Sequence, residues 1–398
     1  MNRMERLAEL AVTFGANVQP GQVLRISGEV GHCELTQVMA DVAYRRGAGF
    51  VDVDLQDPFV HRARVMHAPS DTLGFAPNWP ETRIRELDRQ HGASIKIVGP
   101  TAPGLLDGLD PARVVAAERP RSRAWREAEY RVNCTIVPGP TPAWARAVHP
   151  ELAPEMALDA LWRDIEVVCR LDAPDPAAAW RRRFADLAER ARALTALRLD
   201  AVRLRGPGTD LVIGLPPSAR WDQAGHVSER GIAHAWNLPS EEVFTVPNRD
   251  RVDGHARLTR PVRVAGRLVT GATVAFSAGR VIAVSGGDGV ATLREFIARD
   301  AGMARLGELA LVDADSAVAG TGRTYGITLL DENAASHVAL GFGFTDLVDD
   351  ADRDRVNDAP DHLDVMVGTD EVEVTGRHAD GHETPLLRAG RWQLGGER

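Results

Sequence analysis

The sequence predicts two domains of different class: an α/β domain with a mostly parallel sheet over residues 1–197, and an α+β domain rich in antiparallel strands over residues 198–398. Three observations support this division. A length of 398 residues exceeds that of one ordinary domain. Helical and strand patterns alternate in the first half, which is typical of βαβ units. The second half instead carries short alternating strands separated by glycine-marked turns.

In the first half, amphipathic segments of helical period separate short apolar strands. The expected helices are MERLAELAVTFG, CELTQVMADVAYRRGAG, WPETRIRELDRQHG and a segment near Pro111–Ala124. The expected strands are GQVLRISGEV, FVDVDLQD, SIKIVGP and NCTIVPGP. Neither GxGxxG nor GxxxxGK[ST] follows any of these strands, so a nucleotide-binding role for the sheet has little support.

A long amphipathic helix with an Asp-Pro start is expected from Asp175 to Arg198, and we place the domain boundary near Leu197. Beyond it the pattern changes to alternating apolar and polar residues, which predicts hairpins. The hairpin segments are AVRLRGPGTDLVIGLPP, VRVAGRLVTGATVAFSAGRVIAVSGG and VEVTGRHADGHETPLLRAGRW.

Composition narrows the function classes. The net charge of −9 disfavours nucleic acid and anionic membrane surfaces as partners. Cys33, Cys134 and Cys169 lie far apart without a CxxC pair, which indicates neither a disulfide framework nor a cysteine zinc site. The N-terminus lacks the apolar core of a signal peptide, and no apolar run approaches the ~20 residues of a membrane span. We therefore expect a soluble, cytoplasmic protein.

The segment DHLDVMVGT places His362 two residues before Asp364. In an extended strand, residues i and i+2 project from the same face, so this imidazole and carboxylate would point into one space. Such a pair fits a strand-end turn or a supporting contact as well as it fits metal coordination.

Further polar residues of the second half lie in apolar or turn-bounded segments. They are Glu241 and Glu242 in LPSEEVFTVP, Glu308 in RLGELALVD, and Asp331, Glu332 and His337 in LLDENAASHVALGFGF. Taken singly, each fits a solvated or structural side chain. Two histidines and three carboxylates together match the ligand set of a dinuclear hydrolase. Spacing alone does not select the set, because the candidates span more than a hundred residues.

The segments EEVFTVP, LGELALVD, DENAASHVALG and DHLDVMVGT, in this order, resemble the signature segments of the aminopeptidase T, aminopeptidase S and PepS family of dinuclear metalloaminopeptidases. The resemblance covers nearly the whole chain, with NVQPGQ, DLQDP, PTPAWAR and LRGPGTDLVIGLP as supporting landmarks. It implies that the second domain carries the metal site and that the first shapes the cavity. It also implies a homodimer.

By this resemblance, five residues ligate two divalent ions per chain: Glu242, Glu308, His337, His362 and Asp364. Zinc or cobalt is expected, with manganese or magnesium as alternatives. Glu308 is also a catalytic candidate. Glu332 and Glu241 lie beside ligands and are candidates for supporting contacts to those ligands or for the catalytic base.

One position departs from the family pattern. Phe344 stands seven residues after His337, where the family has a tyrosine placed to help the reacting carbonyl. A phenol that donates to a developing oxyanion contributes roughly 10²–10³ in rate. Its replacement leaves the ligands intact but puts efficient peptide hydrolysis in question.

The leading functional hypothesis is a metal-dependent aminopeptidase that removes the N-terminal residue of short peptides with a metal-activated water. A second hypothesis is an amide hydrolase for a specialised metabolite, which would suit a site without the tyrosine. A third is a mononuclear Fe(II) ring-cleaving dioxygenase of the dihydroxypyridine type, with His337, His362 and Asp364 as its triad. Glu242 and Glu308 argue against the third hypothesis, because a mononuclear site has no use for them. A non-catalytic binding protein is the fourth, and the five intact ligand positions argue against it.

Overall fold

A computed structural model describes residues 1–118 and 122–394 of the chain. The α-helices of these residues are α1 (Arg3–Leu10), α2 (Cys33–Arg45), α3 (Pro58–His67), α4 (Trp79–Arg89), α5 (Pro111–Ala117), α6 (Arg123–Arg131), α7 (Pro142–Val148), α8 (Pro154–Val168), α9 (Pro176–Ala196), α10 (Val290–Ala298), α11 (Ala317–Gly320) and α12 (Thr328–Asp331). A π-helix, Ala11–Gly15, continues α1.

The strands are β1 (Val23–Glu29), β2 (Phe50–Gln56), β3 (Ala93–Val98), β4 (Asn133–Pro138), β5 (Ala201–Gly206), β6 (Thr209–Gly214), β7 (Gly225–Val227), β8 (Ala233–Ala235), β9 (Glu242–Thr245), β10 (Val252–Arg257), β11 (Val262–Val264), β12 (Arg267–Val269), β13 (Thr273–Ser277), β14 (Arg280–Ser285), β15 (Leu306–Val312), β16 (His337–Gly341), β17 (His362–Met366), β18 (Glu373–Arg377), β19 (Glu383–Arg388) and β20 (Arg391–Trp392).

The described residues form two compact units. The first takes them from the ranges Met1–Leu109, Ala116–Phe184 and Ala224–Ser240, and the second from Asp110–Val115, Ala185–Gln223 and Glu241–Arg398. The domain boundary expected near Leu197 stays a prediction. Within the described residues, no helix combines the length and apolar composition that crossing a bilayer requires.

The first unit contains a four-stranded sheet in the order β2-β1-β3-β4, and every neighbouring pair is parallel. The predicted parallel sheet is therefore confirmed. The helix expected near Pro111–Ala124 is not continuous in the described residues. Its first part is α5, and α6 begins after Ser122, whose hydroxyl accepts the Trp125 N–H (3.0 Å) as a helix cap. Residues 119–121 of that prediction lie outside the described residues.

At the carboxyl edge of this sheet, Glu29 at the end of β1 bonds to Thr101, which follows β3. The Glu29 carboxylate accepts the Thr101 N–H (2.9 Å) and the Thr101 hydroxyl. The carboxyl edge between strands whose connections run in opposite directions is where open α/β sheets bind nucleotides. Here the chain's own side chains bond across that edge, which agrees with the missing phosphate-binding motif.

The second unit contains two large antiparallel sheets and the two-stranded antiparallel sheet β11-β12. The larger has the order β14-β13-β10-β6-β5-β18-β19-β20, and the smaller has the order β17-β16-β15-β9. The predicted hairpins are present as β5-β6, β11-β12, β13-β14 and β18-β19-β20. The antiparallel character expected for the second half is confirmed.

One face of the smaller sheet belongs to the hydrophobic core. The side chains that share it are fully or almost fully buried: Val243, Leu309, Leu311, Val338, Leu340, Leu363 and Val365. Alternation sends the intervening residues to the opposite face. That opposite face carries the polar residues singled out in the sequence.

A β-bulge at Gly307 sets which residues of β15 reach each face. Leu306 pairs with Leu340 of β16, whereas Glu308 pairs with Ala339, so two steps on β15 match one step on β16. The extra residue reverses the alternation. Leu306 therefore shares the core face with Leu340, and Glu308 lies on the polar face.

Replacing Gly307 with alanine is expected to destabilise the protein. A Cβ at this position would approach the carbonyl oxygens of Phe342 (2.2 Å) and Gly341 (2.4 Å). Relieving these overlaps requires backbone movement, so Gly307→Ala is expected to lower the free energy of unfolding by about 1–3 kcal/mol. Urea denaturation measures this loss.

Gly320→Ala is the matched control, because a Cβ there meets nothing within 4 Å. Its free energy of unfolding is expected to stay within about 0.5 kcal/mol of the wild type. Equal stability of the two variants would contradict the role assigned to the bulge.

Candidate metal centre

The five predicted ligands lie on four neighbouring strands of the smaller sheet. Glu242 begins β9, Glu308 lies in β15, His337 begins β16, and His362 and Asp364 lie two residues apart in β17. The register aligns them on one face, since Val312 pairs with Glu242, Ala310 with His337, and Ala339 with both Glu308 and Asp364. Residues as far apart in the sequence as Glu242 and Asp364 are thereby brought to one surface.

Small residues stand beside the ligands on this face. Ala310 is the partner of His337, Ala339 lies between Glu308 and Asp364, and Gly341 is the partner of His362. Directly opposed side chains in antiparallel strands lie about 4.5–5.5 Å apart at Cβ. A methyl group or a hydrogen at these positions leaves space above the sheet that a larger side chain would fill.

Glu308 is at the centre of the group, and its two carboxylate oxygens face different partners. Oε1 lies 3.6 Å from His337 Nε2, and Oε2 lies 3.4 Å from His362 Nε2. His337 Nε2 is also 3.2 Å from Glu242 Oε2, and His362 Nε2 is 3.1 Å from Asp364 Oδ1. Two potential ligand sets result, Glu242–Glu308–His337 and Glu308–His362–Asp364, with Glu308 common to both.

Backbone carbonyls orient both histidines. His337 Nδ1 lies 3.1 Å from the Ala335 oxygen, and His362 Nδ1 lies 2.9 Å from the Phe342 oxygen. Donation from Nδ1–H places the proton there in the neutral ring, which leaves the Nε2 lone pair directed at the carboxylates. Histidine ligands of metal ions in proteins are held in this way.

The electrostatics of the cluster favour positive charge. Although burial lowers the pKa of His337 and of His362, the neighbouring carboxylates raise both pKa values well above the ordinary range. Burial raises the pKa of Glu308, but the two histidines beside its oxygens outweigh burial and lower the pKa to about 2. Burial raises the pKa of Glu242, since water is excluded from its carboxylate. The field of the cluster therefore stabilises cations where the Nε2 atoms converge.

The donor set fits divalent ions. Glu242 Oε2 is buried, and its 3.2 Å approach to His337 Nε2 does not meet hydrogen-bond geometry. Burial of such a carboxylate oxygen is costly unless a cation offsets its charge. Imidazole nitrogens with carboxylate oxygens are a combination that zinc and other divalent transition metals accept.

Glu332 and Glu241, the two base candidates, are both buried and lie outside both ligand sets of the described residues. Burial and the charges of Asp364 and Glu242 raise the pKa of Glu332 well above its ordinary value, so Glu332 lies within electrostatic range of the cluster. The Glu241 N–H donates to the Asn333 side-chain oxygen (2.6 Å). The charges of Asp364 and Glu242 thus associate Glu332 with the cluster.

Asp331 has a different role from its neighbour Glu332. Its carboxylate accepts the backbone N–H groups of Tyr325 (2.9 Å) and Gly326 (2.6 Å), and burial raises its pKa to about 6. These bonds fix the turn that precedes α12. Asp331 is accordingly a structural residue.

Phe344 lies beside the His362 end of the cluster, with ring centroids 5.9 Å apart. Phe342 lies 5.0 Å from the His362 ring and 5.8 Å from Phe344, and Phe244 lies 5.7 Å from Phe344. All three phenylalanines are partly exposed. We call Phe244, Phe342 and Phe344 the aromatic wall.

The sequence analysis did not identify Phe244 and Phe342 of this wall. It also did not identify the small residues that lie beside the candidate ligands on the same face of the sheet. Phe244 is two residues after Glu242, and i, i+2 alternation places both on one face of β9. The same alternation, applied to Ala339 and Gly341 after His337, would have placed them on the ligand face.

The chain is similar to known proteins over almost its full length. The model of the thermophilic metalloprotease family (M29) matches residues 1–392. The chain is 38% identical over 400 residues to Aminopeptidase T of Thermus thermophilus, with 98% of each chain covered. It is 34% identical over 411 residues to Aminopeptidase 2 of Geobacillus stearothermophilus, with 98% of this chain and 99% of that one covered.

A solved structure, wild-type AmpT from Thermus thermophilus, matches this fold with a TM-score of 0.88 at 37% sequence identity. The match covers 98% of this chain and 99% of the other. The family model and the relatives each extend over almost the full length. The chain therefore belongs to the M29 family of metalloproteases, as its four signature segments predicted.

Proposed function

We propose that this protein is a metal-dependent aminopeptidase that removes the N-terminal residue of short peptides with two divalent ions bound around Glu308. Membership of a metalloprotease family and full-length similarity to aminopeptidases support a metallo-aminopeptidase. The observation that carries the dinuclear form is the position of Glu308, whose two carboxylate oxygens face separate histidine–carboxylate sets.

One ion would be held by Glu242, Glu308 and His337, and the other by Glu308, His362 and Asp364. Divalent ions bound in this way supply Lewis acidity, which acidifies water and polarises a peptide carbonyl. The chain's own part is to fix the ligands. Backbone carbonyls hold both imidazoles through Nδ1, and the sheet fixes the carboxylates at their register positions.

Glu332 is proposed as the proton carrier. Its carboxylate is buried within electrostatic range of Glu242, Asp364 and His337, yet it belongs to neither ligand set. A carboxylate in this position can accept a proton from the attacking water and return it to the leaving amine. Glu308 is unsuited to this task, because both of its oxygens face histidine nitrogens.

Because residue 344 is phenylalanine and not tyrosine, it places no phenol beside His362. The carbonyl would then be stabilised without the donor that the family resemblance implies. The homodimer and the preference for zinc or cobalt rest on that same resemblance and stay predictions.

Replacing Glu308 is expected to disrupt both ion positions together. Wild-type protein, reconstituted with zinc and desalted, should hold close to two ions per chain, and Glu308→Ala should hold fewer than one, because each set loses a ligand. Plasma mass spectrometry of metal per chain measures this. Glu241→Gln is the control and should retain two ions. A single tightly held iron, unaffected by loss of Glu308, would instead support the dioxygenase hypothesis.

Glu332→Gln tests proton transfer separately from ion binding. The amide keeps the size of the side chain but cannot accept the proton, so kcat is expected to fall by roughly 10²–10⁴ with metal content near two ions. Steady-state hydrolysis of leucyl p-nitroanilide, alongside metal analysis, measures both quantities. A larger loss of kcat in Glu241→Gln than in Glu332→Gln would reassign the carrier.

Phe344→Tyr tests whether the site is a weakened peptidase. Restoring a phenol beside His362 is expected to raise kcat on aminoacyl anilides by about 10–100-fold, since an oxyanion donor is worth up to roughly 10³. The pH–rate profile should also gain a descending limb near the phenol pKa. Unchanged turnover would favour the alternative amide substrate.

A further inference from the structure

The aromatic wall packs against buried apolar side chains on the side away from solvent. Phe244 and Phe344 pack on a buried apolar cluster of Val246, Leu347, Val348 and Val356. Because close-packed interiors resist displacement, the rings cannot retract into the core. The wall is partly exposed and presents aromatic carbon next to the His362 ligand.

Solvent exposure differs between the two ends of the cluster. The side chains of His337 and Glu242 are 1% and 7% exposed, whereas those of His362 and Asp364 are 15% and 11% exposed. The wall lies at the more exposed end, because Phe342 and Phe344 contact His362. A peptide chain that extends from the cluster towards solvent would therefore run along the wall.

Exposure sets the direction of the substrate, because the less exposed end suits the terminus of a peptide and the more exposed end suits the continuing chain. Glu242 places a carboxylate at the enclosed end, with its Oε2 buried. A free α-amine is the one cationic group of every peptide N-terminus, and negative surroundings favour it. With the amine at the enclosed end and the scissile carbonyl over Glu308, the second residue of the peptide reaches the exposed end.

We propose that the aromatic wall binds the side chain of the residue after the scissile bond, so that this enzyme prefers peptides with an apolar second residue. The inference rests on the proposed aminopeptidase function and deepens it. Each ring offers a flat apolar face, and stacking against a second aromatic ring adds affinity beyond area burial. Glycine at the second position makes no such contact.

Asp222 suggests an alternative preference, for a cationic second residue. Its backbone pairs with that of Phe244 through two hydrogen bonds of 2.9 Å, which places a carboxylate-bearing residue at the edge of the wall. If that carboxylate governed recognition, arginine at the second position would be favoured instead of phenylalanine.

The test compares Leu-Gly, Leu-Phe and Leu-Arg as substrates of the zinc-loaded enzyme. We expect kcat/KM for Leu-Phe to be about tenfold above that for Leu-Gly, a typical value for one apolar contact. In Phe344→Ala the ratio should fall to about two, whereas Phe344→Tyr, which keeps the ring, should retain it. Phe344→Leu keeps apolar bulk and serves if the alanine variant does not fold. Metal content near two ions in each variant confirms an intact cluster.

A ratio near one in the wild type, a ratio unchanged in Phe344→Ala, or a preference for Leu-Arg would overturn the inference. So would an altered preference between Leu-Gly and Ala-Gly with the Leu-Phe to Leu-Gly ratio intact, because the wall would then contact the first residue.

Dipeptide analogues with a methylene in place of the scissile carbonyl cannot be cleaved. Measuring their binding therefore tests the role of the aromatic wall separately from the proposed aminopeptidase function. Calorimetry is expected to give a dissociation constant about tenfold lower for the Leu-Phe analogue than for the Leu-Gly analogue in the wild type, and equal constants in Phe344→Ala. This binding preference without any peptide cleavage would contradict the proposed function and support the proposal that the aromatic wall binds the second side chain. Cleavage without the binding preference would do the reverse.

Discussion

Side-chain alternation in the four-stranded antiparallel sheet is the constraint on which the core and the candidate metal centre both depend. Every residue of this sheet faces either the apolar core or the polar surface. The two sets are interleaved along each strand, so a slip of one position would turn the carboxylates into the apolar core and the leucines towards the candidate metal centre. The bulge at Gly307 reconciles the two requirements, because it lets Leu306 join the core while Glu308 joins the ligands. The position of one glycine thus decides what the central carboxylate faces.

The same sheet explains how several buried carboxylates are tolerated close together. Glu242, Glu308 and Asp364 would repel one another strongly in a dry interior. The histidine nitrogens lie between them, and the backbone hydrogen bonds of four strands prevent the carboxylates from separating. Divalent cations would offset the charge of these carboxylates more completely than the histidines do. The arrangement is therefore more costly without ions than with them, and much of the ions' binding free energy would come from relief of that repulsion.

Sequence patterns predicted the parallel sheet, the hairpins and the long helix Pro176–Ala196, because each has a period that shows in a single segment. They did not predict α3, α7 or α8, although proline at the start of each helix, after Asp57 or Thr141 in two of them, is a start signal. Alternation predicted that His362 and Asp364 share a face, and both lie so in β17. The bulge depends on the pairing of β15 with β16, about thirty residues further along the chain, and the wall brings Phe244 to Phe344, about a hundred residues further along. No local pattern encodes either pairing.

Ala310, Ala339 and Gly341 carry a consequence for how relatives of this chain are interpreted. These three residues contribute no donor atom, yet they line the face on which the ligands converge. At Gly341 the backbone φ is +113°, and a Cβ would lie 1.9 Å from the Asp361 carbonyl oxygen, so even one methyl group would displace the strand that bears His362. Under the proposed function, a chain could keep all five candidate ligands and still lose its capacity for ions through a branched side chain at one of these places. The comparison of homologues should therefore include eight positions, not five.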